Sequence, residues 1–186
     1  MAGRVARTGA HWGIFLGIPV VVVALDQLTK AWLVANIAQG EIREVFGETV
    51  RLVYHQNSGA LFGLFRDQAI VFGLLSIGVI GLIVGYHARS GRSRYMSIAL
   101  GFLLGGAIGN LIDRLRLGYV IDFVDIGIGN LRFYTFNVAD SAISTAIVLL
   151  VAVALVPGLA RLVDGASPAP PAAEQDPAAA NGPADG

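Results

Sequence analysis

Apolar positions along this chain gather into four long runs, and polar residues gather at their ends. The first run goes from Trp12 to about Val34 and is interrupted only near its end, by Asp26 and Lys30. The second, Ala69 to Tyr86, and the third, Tyr95 to Ile112, carry no charge; the fourth, Val138 to Ala160, carries only Asp140 near its start. Each approaches the roughly 20 residues that a helix needs to cross the hydrocarbon of a bilayer. Inside lipid a backbone must satisfy its own hydrogen bonds, which leaves helices as the default. The pattern predicts an all-α membrane protein, a bundle of four transmembrane helices over about 12–34, 69–86, 95–113 and 138–160, within a membrane domain of residues 1–163. Two long connections, about 36–67 and 115–136, fall at one end of the bundle. In the first, Val50, Leu52 and Tyr54 alternate with Arg51 and Val53, which is strand-like. The second contains YVIDFVDIGI and RFYTF, rich in β-branched and aromatic residues. A small β-rich cradle outside the bundle is expected from them. The Pro/Ala-rich segment 164–186 has too little apolar content to bury a core and is expected to be a disordered tail.

Composition supports the membrane reading. Of 186 residues 55% are hydrophobic and 14% charged, and mean hydropathy is +0.67. A soluble domain has about 25% charged residues. The formal net charge is zero, so no bulk basic field points to nucleic acid. Cysteine is absent, which excludes a thiol nucleophile, a thiolate metal site and a disulfide. His11, His55 and His87 show no ligand spacing, so no metal or other cofactor is expected. The first run follows Arg4 and Arg7, as in a secretory signal, but its length and its Asp26 and Lys30 predict a retained span. Four spans put both termini on one side. The arginine-rich connection HARSGRSR and Arg4, Arg7 and Arg161 share that side, which predicts that it is cytoplasmic. Arginines on the other side are spread over longer loops.

With that topology the polar residues meet. Asp26 and Lys30 end the first span, Asn110, Asp113 and Arg114 end the third, and Asn137 and Asp140 open the fourth. Asn57 and Asp122 lie in the two long loops on the same side. Ionisable groups in membrane segments are costly and are functional candidates by default. Gly106, Asn110 and Asp113 share one helical face, as do Asn137, Asp140, Ser141 and Ser144. Asp26 and Lys30 stand four apart, acid first, the favourable order for a structural ion pair. Gly105, Gly106 and Gly109 would admit a neighbouring helix.

Asp122 and Asp140 suit hydrolysis by two carboxylates sharing a proton, one activating water and the other polarising a carbonyl. Asp113 and Asp125 compete for the same roles, and Asp140 could equally be a helix cap. Lys30 could instead be a general base for Ser58 or Ser141. A transporter relay through Asp26, Lys30, Asp113 and Asp140 is a further alternative, although relays usually lie nearer the midplane. Arg114 could reach the interface, a substrate headgroup or Asp113. Asn57, Asn110 and Asn137 could bind helices together, or hold the carboxylates or a substrate backbone.

At these residues the chain resembles a known family. DQLTK at Asp26–Lys30, NSGALFG at Asn57–Gly63, GGAIGNLIDRLRLGYVIDF at Gly105–Phe123 and FNVAD at Phe136–Asp140 are similar, in order, to the motifs of lipoprotein signal peptidase, the bacterial signal peptidase II. The resemblance spans about Leu25 to Leu150. It implies a multi-pass aspartic endopeptidase of the bacterial cytoplasmic (inner) membrane, with both termini cytoplasmic and the active site at the outer face. The implied substrates are diacylglyceryl-prolipoproteins in the phospholipid bilayer, cut before the lipidated cysteine. The implied catalytic residues are Asp122 and Asp140. Asn57, Gly106, Asn110, Arg114 and Asn137 would support or bind substrate, and Asp26 and Lys30 would stabilise the site. Nothing in the sequence bears on oligomeric state.

Overall fold

A computed structural model describes residues 11–59, 69–90, 93–156 and 158–159. The tail expected at 164–186 lies outside the described residues. Among the described residues four helices form: α1 Trp12–Asn36, α2 Ala69–Ser90, α3 Arg94–Leu117 and α4 Val138–Leu155. All four are long and apolar enough to cross a membrane. They run up and down. Phe15 near the start of α1 packs with Ile83 near the end of α2 and with Leu100 and Leu104 of α3. At the other end Leu33 and Ile37 meet Ile121 and Phe123 of the sheet.

Helix α3 is the axis of the bundle. Its span is 56% buried, against 17–22% for the other three. Small residues allow this. A Cβ on Gly105 would stand 2.8 Å from the Val22 Cβ of α1, and one on Gly106 would collide with the Ala139 carbonyl oxygen of α4. The backbones therefore pack directly against each other, as small residues permit in membranes. Gly106→Val is expected to force α3 and α4 apart and to destabilise the protein by about 1–3 kcal/mol. Thermal unfolding of the purified variant in detergent checks this.

The long connections build one antiparallel sheet in the order β1 (Ile42–Phe46), β2 (Val50–Asn57), β3 (Val120–Ile128) and β4 (Leu131–Arg132). The β1–β2 turn carries Gly47 at φ 52°, where a left-handed residue favours glycine. In the β2–β3 pairing, His55 stands opposite Asp122 and Asn57 opposite Val120. The sheet is thus seated on the bundle with Asp122 at its inner end.

Three helix boundaries differ from the hydropathy reading by several residues. Helix α2 continues past Tyr86 to Ser90, with His87 and Arg89 in its last turn. Helix α3 continues through Asp113, Arg114 and Arg116 to Leu117 and stops at Gly118, φ 79°. Charged side chains do not end a helix when they find partners; a left-handed glycine does. Helix α4 ends at Leu155 rather than near residue 160. Val156 precedes a proline in the sequence, and the residue before proline is disfavoured in helical conformation.

Candidate active site

Asn137 caps α4 and organises the site. Its Oδ1 accepts the Asp140 N–H at 2.9 Å, and its own N–H donates to Asp140 Oδ2 at 3.2 Å. This is a capping box, with aspartate in the position usually held by glutamate or glutamine. The Asn137 Nδ2 reaches the other way and donates to Asp122 Oδ1 at 2.7 Å. One fully buried amide therefore ties the two aspartates together. Asp122 Oδ2 accepts Asn57 Nδ2 at 2.9 Å, and Asp140 Oδ1 accepts Asn110 Nδ2 at 2.8 Å. All four carboxylate oxygens are held by N–H donors from β2, α3 and the α4 cap.

Both carboxylates line a cavity of about 490 Å³. Its walls are α2 and α4 and its floor is α3. Toward the sheet the lining is polar: Asn57, Asn110, Arg114, Asp122, Tyr134 and Asp140. Further along the helices, away from the sheet, it is apolar, with Leu75, Val79, Leu103, Ile143 and Ile147. Asn137 lies behind the carboxylates and Gly106 on the α3–α4 contact, so neither is part of that lining.

The environment sets the protonation of the groups outside the spans. Burial pushes Asp122 up to about 7, and the charge of Asp140 adds to this; the Asn57 and Asn137 hydrogen bonds and Lys30 oppose it. Burial also raises the Tyr134 phenol, helped by the charges of Asp140 and Asp122. Tyr134 therefore stays a neutral O–H at the mouth of the site.

The competing carboxylates are otherwise engaged. Asp125 lies between Arg132 and Arg51, with Nε and Nη2 contacts of 2.8 Å. Burial would raise it, but the two arginines together hold it below the usual carboxylate range. Asp113 does not pair with Arg114, one of the partners considered for that arginine. It faces Lys30 at 2.8 Å, and Lys30 also contacts Asp26 at 2.8 Å. Arg114 instead donates to the Asn110 carbonyl at 3.4 Å and lies 5.8 Å from the Phe72 ring centroid. Lys30 is 2% exposed and held by two carboxylates, and Ser141 donates to the Asn137 carbonyl, so no base–serine contact forms between them. Among the described residues no group of three or more His, Asp or Glu is placed to hold a metal ion.

Sequence reasoning missed Tyr134 and Ser76 as lining residues, while Ser144 lines the cavity on the helical face it was expected to share with Asp140. The only signal for Tyr134 was its place in the aromatic segment that leads back to the α4 cap.

Three comparisons bear on this site. The family pattern of signal peptidase (SPase) II matches residues 18–156. The lipoprotein signal peptidase of Streptococcus pyogenes serotype M3, strain ATCC BAA-595 / MGAS315, is 42% identical over 133 residues, which cover 71% of this chain and 86% of that protein. The protein of the same name from S. pyogenes serotype M5, strain Manfredo, is 41% identical over an equal length. A bacterial membrane enzyme solved by the in meso method at 2.3 Å superposes with a TM-score of 0.75 at 30% identity, covering 81% of this chain and 92% of that one.

Proposed function

Because the chain belongs to the signal peptidase II family, and is therefore a multi-pass bacterial membrane peptidase, we propose that it removes signal peptides from diacylglyceryl-modified prolipoproteins, cutting before the lipidated cysteine by water activated between Asp122 and Asp140. The observation that carries this reading is a pair of carboxylates, linked through Asn137, at the polar end of an otherwise apolar groove between α2 and α4.

The groove suits a substrate that is itself an apolar helix with a lipid anchor. Such a chain enters sideways from the bilayer, lays its apolar turns against Leu75, Val79, Ile143 and Ile147, and brings the scissile bond to the carboxylates. One proton is shared by the pair, because two adjacent carboxylates resist joint ionisation. Each acid accepts two N–H donors, but Asp140 also sits at a helix N-terminus, where the dipole favours negative charge, and is the better anion. Asp122 keeps the proton. Asp140 removes a proton from water as the water oxygen attacks the carbonyl carbon. Asp122 donates a hydrogen bond to the carbonyl oxygen that becomes negative. Collapse breaks the C–N bond, and the proton taken by Asp140 passes to the leaving nitrogen. No covalent intermediate forms. Asn57, Asn110 and Asn137 hold the two acids in register, while Arg114 and Tyr134 offer donors to the substrate backbone. The start of α1 and the end of α4, at the end of the bundle opposite the sheet, lie on the cytoplasmic side, and the site opens at the outer face of the cytoplasmic membrane.

The test is cleavage of a synthetic diacylated precursor by the purified protein, across pH. Cleavage at the bond before the modified cysteine is expected. Since kcat/KM reports the free enzyme, its alkaline limb should fall near the Asp122 value of about 7. Activity that rises steadily through that pH, or that requires an added metal ion, would overturn the reading.

A further inference from the structure

Lys30 sits between two carboxylates, and each of those carboxylates grips a backbone N–H one residue before a member of the proposed pair. Asp26 Oδ1 accepts the Ala139 N–H at 3.0 Å, next to Asp140. Asp113 Oδ2 accepts the Ile121 N–H at 3.1 Å, next to Asp122. The Lys30 Nζ is 2.8 Å from Asp26 Oδ2 and 2.8 Å from Asp113 Oδ2. Gln27 Nε2 closes the arrangement by donating to Asp26 Oδ2 at 3.1 Å and Asp113 Oδ1 at 2.9 Å.

We propose that Asp26, Lys30 and Asp113 form a rigid spacer that sets the separation of the Asp122 and Asp140 side chains, with Asp113 as a positioning residue as necessary as Lys30. The inference rests on the two-aspartate reading and deepens it.

The physical case has three parts. First, both N–H groups need outside partners. The Ala139 N–H belongs to the first turn of α4, where helix donors have no internal acceptor; Ile121 is the second residue of β3, beside the end of α3. The spacer supplies both acceptors from α1 and α3. Second, all three side chains are at most 3% exposed. At such burial a loosened ion pair is not replaced by water, so the geometry is held stiffly. Third, the segments that carry the aspartates come from different elements, the start of a helix and the start of a strand. The link through Asn137 is an amide hydrogen bond, and it fixes orientation. The charged centre fixes distance, because Lys30 must touch both carboxylates at once. Asp26 and Asp113 reach the site through the backbone they hold, and Lys30 adds a side-chain contact by donating to Asn110 Oδ1 at 3.4 Å. They are not on the cavity lining.

The chain has no cysteine, so an introduced pair can be cross-linked without background. The experiment uses the full chain carrying Asp122→Cys and Asp140→Cys, purified in detergent, and a short bifunctional thiosulfonate. The measured quantity is the rate of the internal cross-link, which needs no catalysis. With the spacer intact the cross-link should form. Adding Asp113→Leu, which removes the Ile121 acceptor and one Lys30 partner, should slow it about tenfold or more, since ångström-scale displacement alone costs proximity reactions up to about 10²-fold. Asp113→Asn, nearly isosteric, serves if the leucine variant does not fold; it lacks the charge that holds Lys30 and should also slow the reaction. An unchanged rate in either folded variant overturns the spacer and leaves the two-aspartate reading standing. No cross-link even with the spacer intact would instead remove the two-aspartate reading itself.

Discussion

Asp140→Asn is expected to leave a folded membrane protein that no longer cleaves its precursor. In the proposed mechanism Asp140 holds two jobs, and the substitution separates them. As a structural residue it accepts the Asn137 N–H and the Asn110 amide. Asparagine keeps one acceptor oxygen for the cap and loses the other, which costs about 1 kcal/mol, the usual worth of one hydrogen bond. As a base it must take a proton from water, which an amide cannot do. General acid–base steps contribute about 10²–10⁴-fold each, so the rate should fall by at least about 10³-fold with the unfolding transition nearly unmoved. Asp122→Asn should be as inactive but differ in stability. Folded Asp122, near 7, binds its proton more tightly than an unfolded aspartate at 3.8. Its burial therefore favours folding fully at acid pH, and that contribution is lost as pH rises through about 7. Above that pH the Asp122→Asn variant should be no less stable than the parent. Cleavage assays paired with thermal unfolding on either side of neutral pH read both effects. Substantial activity in either variant would remove the pair.

Lys30→Met should be the most damaging single change to stability. It leaves Asp26 and Asp113 buried, adjacent and without a cation. Removing one partner of a buried ion pair typically costs about 3–5 kcal/mol, and here two like charges are stranded. The Gln27, Ala139 and Ile121 donors offset part of this. Denaturant or thermal unfolding of the purified variant should show the loss at neutral pH. Arg43→Met is the control. Its ion pair with Glu41 is solvent-exposed, exposed pairs contribute little, and the unfolding transition should not move. A Lys30 variant as stable as the control would mean that the buried cluster does not hold the helices together.

Asp122 and Asp125 show how far the sequence could be read. Both lie in YVIDFVDI, and a spacing of three in a strand puts them on opposite faces. That much follows from the residues. Which face meets the cavity does not, because it depends on where Arg51 and Arg132 stand. They close on Asp125 from β2 and β4, strands whose pairing with β3 is set by turns and register rather than by local pattern. Asp113 was equally open. Its neighbour Arg114 was a natural partner by proximity, yet Lys30 from α1 takes it, because adjacent residues on a helix point in different directions.

Hydropathy alone determined that four segments cross a bilayer, since lipid rejects any other use of such runs. Helical spacing alone determined that Asn110 and Asp113, and likewise Asn137 and Asp140, share faces, and the up-and-down order brought those faces to one end. What only packing decided was the division of labour among like residues: which aspartates meet the groove, which are spent on Lys30, and which asparagine stands between the two acids. Side-chain chemistry is the same for every aspartate in the chain, and only long-range contacts, such as the 113-residue separation between Asp26 and Ala139, give each one a different neighbour and therefore a different task.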